Sequence, residues 1–114
     1  MNRHTIGIIA TVAAVVLIAP VAAQKTSEAD TLLAAAQQKE TLEGDPNAAI
    51  KQYSAIVSKY AKTDRAVAAM ALVHMAECYQ KIGDAAARKI YEQVVREYSD
   101  QKEAAALARA GLGN

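Results

Sequence analysis

Two segments of this chain nearly repeat one another, and this constrains the fold more than any other feature of the sequence. Residues 44–60 read GDPNAAIKQYSAIVSKY, and residues 83–98 read GDAAARKIYEQVVREY. With one residue fewer after the second Gly-Asp, Tyr53 aligns with Tyr91, at an offset of 38 residues. A period in this range is typical of stacked helical hairpins, which present a binding surface more often than they carry out catalysis.

The spacing of apolar residues predicts five helices and no strand. Apolar residues recur at intervals of three and four, as on one face of a helix, and no stretch alternates with the strand period. The predicted helices span residues 28–43, 46–60, 65–82, 85–98 and 101–110. We therefore predict an all-α fold of antiparallel helical hairpins, stacked as a short solenoid with a C-terminal capping helix.

Turn residues predict where the helices end and begin. Gly44 and Gly83 are expected to stop a helix, and the aspartate after each is expected to cap the next one. Ser99-Asp100 is predicted to cap the last helix, which Gly111 and Gly113 are expected to end.

The same spacing predicts a set of core residues for each helix. These are Leu32, Leu33, Ala36 and Leu42 in the first helix, Ala49, Ile50, Tyr53, Ile56, Val57 and Tyr60 in the second, Val67 or Ala68, Ala71, Leu72, Met75, Ala76, Tyr79 and Ile82 in the third, and Ala87, Ile90, Tyr91, Val94, Val95 and Tyr98 in the fourth. The last helix is expected to cover the open end of the fourth with Ala104, Ala105, Leu107 and Ala108.

The N-terminal residues have the pattern of a secretory leader. Arg3 precedes an apolar run from Ile6 to Ile18, Pro20 breaks the run, and small residues stand before Gln24. This layout predicts a signal peptide over 1–23, cleaved after Ala23, and a periplasmic or secreted domain over 24–114. The alternative is an uncleaved anchor, since the segment from Thr5 to Ala23 is nearly long enough to span a bilayer of about 30 Å; only then would we expect membrane contact.

Charge and cysteine content exclude several function classes. Of 13 Lys and Arg residues only Arg3 lies in the leader, so the predicted domain has 12 basic and 12 acidic residues. No basic segment supports nucleic-acid binding. Cys78 is the single cysteine and His74 the single histidine after the leader, too few for a zinc site of about four ligands. Cys78 is better explained as a small buried residue than as a reactive thiol.

The second of the two hairpins resembles the tetratricopeptide repeat. It supplies the motif positions Leu72, Met75, Ala76, Tyr79, Gly83, Ala87, Tyr91 and Val94. The first hairpin supplies Leu33, Ala36, Gln37, Glu40, Gly44, Ala49, Tyr53 and Ile56, with Glu40 where the motif has an aromatic residue. The resemblance places repeats at about 28–60 and 64–98 and a capping helix at about 100–111. The sequence is similar to bacterial envelope proteins of this family, such as the Tol–Pal coordinator, and to the repeat modules before TolB-like propellers.

The resemblance also implies a ligand-binding groove on the inner face of the stack. It places Gln38 and Thr41 there from the first helix, and His74, Glu77 and Lys81 from the third, where a protein or peptide segment could lie across them. The alternative is a solvated polar face without a ligand.

We therefore expect an exported adaptor that binds a protein or peptide partner in the bacterial cell envelope, without enzymatic activity, cofactor or metal. The chain has no recognisable nucleophile context and no Gly-rich phosphate loop. Two alternatives remain: a structural module that self-associates as a homo-oligomer through its end helices, and a shortened relative of a repeat–propeller protein.

Overall fold

The computed structural model describes residues 27–113, so the predicted leader and its cleavage site lie outside the described residues. Within 27–113 the chain forms five α-helices: α1 (Glu28–Thr41), α2 (Pro46–Tyr60), α3 (Arg65–Lys81), α4 (Ala86–Glu97) and α5 (Lys102–Leu112). The all-α prediction is confirmed. Over the same residues, no helix is both long and apolar enough to cross a membrane.

Local sequence signals explain most helix boundaries. Gly44 and Gly83 adopt positive φ angles of 62° and 72°, a conformation that side chains disfavour, and both follow the end of a helix. Asp45 caps α2, because its Oδ1 accepts a hydrogen bond from the Ala48 amide at 3.0 Å, and Pro46 occupies the first helical position.

The prediction that Ser99-Asp100 caps α5 is wrong. The first turn of α5 has no side-chain cap, and Asp100 instead accepts hydrogen bonds from the Arg65 guanidinium at 2.7 and 3.2 Å. Arg65 also donates to the Glu97 carbonyl and lies 4.6 Å above the Tyr98 ring. The bond from Arg65 lowers the pKa of Asp100 to about 2. Arg65 thus ties the start of α3 to the end of α4 through Glu97 and to the following turn through Asp100.

Helix α3 is the centre of the structure. It packs against α1, α2, α4 and α5, and it belongs to both clusters of buried apolar residues. One cluster joins α1, α2 and α3, and the other joins α3, α4 and α5. Because neighbours cover α3 on several sides, Val73 and Cys78 are fully buried although the single-stripe prediction did not include Val73 in the core.

Several predicted core residues lie at the surface. Leu32, Leu42, Ile82 and Leu107 are 38%, 80%, 41% and 41% exposed, and Tyr79 is half-buried. Leu32 and Leu107 belong to the end helices α1 and α5, each of which packs against two other helices within residues 27–113, whereas α3 packs against four. The inward positions of α1 are taken by Ala29, Ala36 and Glu40.

Gly111 lies inside α5 and does not end it, contrary to prediction. A Cβ atom at this position would lie 2.5 Å from the Tyr91 ring. The absent side chain therefore lets α5 approach α4 closely enough to cover the ring of Tyr91, which is 3% exposed.

We expect Gly111→Ala to destabilise the protein by about 1–3 kcal/mol, because overpacking against Tyr91 outweighs the better helix propensity of alanine. The measurement is urea unfolding followed by far-UV circular dichroism. Gly113→Ala is the matched control, since its Cβ would meet nothing nearer than 3.6 Å. Equal stability of the two variants would contradict the close approach.

Candidate functional site

A buried carboxylate stands where α1, α2 and α3 meet. Glu40 is 7% exposed, and its Oε2 accepts a hydrogen bond from the Tyr53 hydroxyl at 2.7 Å. Its Oε1 accepts from Lys81 Nζ at 2.8 Å. We call Glu40, Tyr53 and Lys81 the Glu40 cluster. Each of the three helices contributes one member, so the cluster joins the first hairpin to α3.

The electrostatics of the Glu40 cluster keep the carboxylate ionised. Burial alone would raise the pKa of Glu40, but the hydrogen bonds from Lys81 and Tyr53 outweigh it and lower the pKa below its ordinary value of 4.5. Burial and the bond to Glu40 raise the pKa of Tyr53. The hydrogen bond to Glu40 raises the pKa of Lys81. A buried charge is stable only when it is paired, and these two donors satisfy that requirement.

A second chain of polar contacts runs beside the Glu40 cluster. His74 Nδ1 lies 3.2 Å from Glu77 Oε2, and His74 Nε2 lies 2.9 Å from Gln37 Nε2. If Nδ1 donates to the carboxylate, Nε2 of the neutral ring accepts from the Gln37 amide. The imidazole also stacks on the Tyr53 ring, with centroids 5.6 Å apart. We call Gln37, His74 and Glu77 the His74 chain.

The structure brings together some of the predicted groove residues. His74 and Glu77 are in contact within the His74 chain, and both are half-buried. Lys81 is on the same helix, but its ammonium group bonds to Glu40 at 2.8 Å and does not join the His74 chain.

The other two predicted groove residues lie on α1. Gln38 and Thr41 are exposed, and the Thr41 hydroxyl donates to the Gln37 carbonyl of its own helix. Within the described residues 27–113, no hydrogen bond joins the side chain of Gln38 or Thr41 to α3. We refer to Gln38, Thr41, His74, Glu77 and Lys81 as the α1–α3 face. Its role in ligand binding stays a prediction.

Sequence reasoning missed the structural role of Gln37 and Glu40. Glu40 stood out only as a poor fit to the repeat motif. The available signal was a carboxylate at an inward helix position, which requires a nearby donor. Lys81 could have been suggested as that donor, but the contact joins residues 41 positions apart and depends on how α3 packs against α1.

The buried position predicted for Cys78 is confirmed. It is fully buried, and burial together with the nearby Glu40 carboxylate raises the pKa of its thiol to about 12. Because the thiolate is the nucleophile, this thiol is unreactive near neutral pH. The part of the chain that the structure describes holds no group of three or more His, Cys, Asp or Glu residues suited to a metal ion.

Comparison with known proteins relates one segment of the chain to a family. The family model of the tetratricopeptide repeat matches residues 70–100, which comprise most of α3, all of α4 and the turn between them. No curated protein and no solved structure matches the chain. The match supports the tetratricopeptide resemblance of the second hairpin. Repeats of this type generally mediate protein–protein interactions through the surfaces that their stacking creates, and they are typically non-enzymatic.

We expect the protein to become less stable as the pH is lowered, because Glu40 becomes protonated. A group whose pKa is lowered in the folded state stabilises that state above its unfolded pKa, and the contribution is lost as the pH falls through the folded value. Below about pH 4.5, wild type should therefore lose up to about 1.4 kcal/mol per pH unit from this group, and Glu40→Gln should lack this component.

The measurement is the free energy of unfolding from urea titrations at pH values from neutral to acid. Glu103→Gln is the control, because Glu103 is exposed on α5. An acid slope that is unchanged in Glu40→Gln, or reduced equally in Glu103→Gln, would show that the Glu40 cluster is not the source.

Proposed function

We propose that this protein is a tetratricopeptide-type interaction module that binds a protein or peptide segment across the α1–α3 face. The observation that carries the proposal is the family match to the α3–α4 hairpin, in a chain whose helices each pack on the next one along the sequence. In this arrangement α1 and α3 are the first helices of consecutive hairpins and lie in contact. Their shared face corresponds to the inner surface that stacked repeats offer to a ligand.

The polar groups of the α1–α3 face suit recognition of an extended segment. Gln38 offers an exposed amide that both donates and accepts, and Thr41 offers a hydroxyl. Glu77 is held against His74 and remains 39% exposed at its side chain. Because the charge of Lys81 is already balanced by Glu40, the acceptor Glu77 gives the face a preference for backbone amides or basic side chains.

The His74 chain and the Glu40 cluster hold the three α3 residues of this face in place before a ligand arrives. His74 is held on one edge by Gln37, on the other by Glu77, and across its ring by Tyr53. A side chain that is ordered in advance loses less entropy on binding, which favours affinity.

We expect a photo-crosslinking amino acid at position 38 to form adducts with a foreign protein in cells of the source organism. The matched control is the same substitution at position 89, because Lys89 is exposed on α4, away from the α1–α3 face. Adducts identified by mass spectrometry at 38 and absent at 89 would support the proposed face. Adducts at neither position, or the same adducts at both, would count against it.

We further propose that the protein works in the bacterial cell envelope after export and removal of residues 1–23. The support is the leader pattern of the sequence and its similarity to exported tetratricopeptide proteins. The Tol–Pal coordinator type and the repeat modules of propeller proteins are the relatives that the sequence suggests, and a stand-alone adaptor in the periplasm is the role we favour.

Export is tested by the mass and the location of the chain in a bacterial host. We expect wild type to be recovered from the periplasm or the medium, shortened by the leader. Ala23→Arg should be recovered uncleaved, because the cleavage site requires small residues. Thr26→Arg, which adds the same charge beyond the site, should be processed like wild type. Wild type recovered at full length would favour the anchor, and recovery in the cytoplasm would refute export.

A further inference from the structure

An apolar groove opens on the side of α1 that faces away from α3. It has a volume of about 340 Å³ and is lined by Leu32 and Ala35 of α1 and by Gln52, Ala55, Ile56 and Lys59 of α2. Leu32 is 38% exposed and Ala35 is exposed. In the second hairpin, the corresponding side of α3 is covered by α2. The groove is thus a stacking surface of the solenoid that no element within residues 27–113 covers.

The surface of α1 beside this groove has a self-complementary pattern. Glu28, Leu32, Ala35 and Lys39 follow one another at intervals of four, three and four residues, so they form one stripe along the helix. We call these four residues the outer stripe. The interval pattern is that of a coiled-coil seam, where a second helix packs its side chains between those of the first.

We propose that the outer stripe docks a second copy of this chain, with α1 antiparallel to α1 of its partner. When the two helices are aligned about a point between Leu32 and Ala35, each leucine meets an alanine of the other copy. In the same alignment Glu28 of each copy meets Lys39 of the other. Each residue of the outer stripe therefore lies opposite a residue of the other copy that complements it in size or charge, as a two-fold interface requires.

The neighbouring charges are compatible with this pairing. Glu28 already bonds to Lys59 and Lys39 to Glu43, each at 2.7 Å and at the surface. In the dimer, Glu28 lies between Lys59 of its own chain and Lys39 of the other, so the two surface pairs extend into one network of alternating charge. The exposed leucine of each copy fills the apolar groove of the other, which removes both from water.

The size of the surface sets the expected affinity. A 14-residue helix is about 21 Å long, and with its neighbour α2 it presents a face of roughly 400 Å² per copy. A total near 800 Å² is below that of stable complexes, so the dimer is weak and reversible. It leaves the α3 residues of the α1–α3 face free and borders that face only at Gln38, which follows Ala35 by three residues. The dimer does not depend on the proposed function.

The first test is sedimentation velocity of the full chain from about 1 µM to about 500 µM. Wild type should show a reversible monomer–dimer equilibrium, and Leu32→Glu should weaken it at least about tenfold. Leu107→Glu is the matched control, since Leu107 is a similarly exposed leucine at the other end of the stack. The proposal is overturned if wild type stays monomeric over this range. It is also overturned if Leu32→Glu leaves the dimer affinity unchanged, or if Leu107→Glu lowers that affinity as much as Leu32→Glu does.

The second test is a charge exchange across the proposed antiparallel pair. Glu28→Lys and Lys39→Glu each place like charges opposite one another twice, and each should weaken the dimer about three- to tenfold. A mixture of the two variants should restore wild-type affinity, because every pair across the heterodimer is again opposite in charge. Arg88→Glu breaks an exposed pair with Glu92 on α4 and should change nothing. A mixture no tighter than its components would overturn the antiparallel pairing.

Discussion

The burial of α3 is the constraint on which the rest of the structure depends. Four other helices pack against it, so nearly every side of the helix is an interior surface. Its buried residues are mostly small: alanines recur among Val67, Leu72 and Val73, and they allow its neighbours to approach closely. Larger side chains that fill the space come from the adjoining helices, above all Tyr53 of α2 and Tyr91 of α4.

The same crowding determines where polar groups are found. α1 touches α3 at its inward face, and Glu40 stands at a position where the repeat motif has an aromatic ring. The carboxylate takes part of that space by bonding to the hydroxyl of Tyr53 and to Lys81. The hydrogen bond between the Tyr53 hydroxyl and the Glu40 carboxylate thus replaces an aromatic contact where the first hairpin packs against α3. The arrangement is directional, so it fixes the relative register of three helices in a way that apolar packing alone does not.

The sequence predicted local features better than contacts between helices. Helix type and approximate boundaries followed from apolar spacing, and Gly44 and Gly83 were recognised because only a positive φ explains a glycine at each stop. Local spacing predicts a cap at Asp100, whereas its partner in the structure, Arg65, is 35 residues away. Local spacing likewise predicts a helix stop at Gly111. Its actual role depends on the distance between α5 and Tyr91, which spacing along the chain does not encode.

At the candidate site, the placement of His74 and Glu77 on one helix was predictable, but their links to Gln37 and Tyr53 were not.

The position of α3 in both buried clusters also determines how the protein unfolds. In a long array of repeats each unit contacts only its neighbours, and the ends can open while the middle stays folded. Here the two clusters share one helix, so the loss of either α1–α2 or α4–α5 exposes a side of α3 that the other pair cannot shield. The two hairpins therefore form one cooperative folding unit, and a break in either one spreads through α3 to the whole domain.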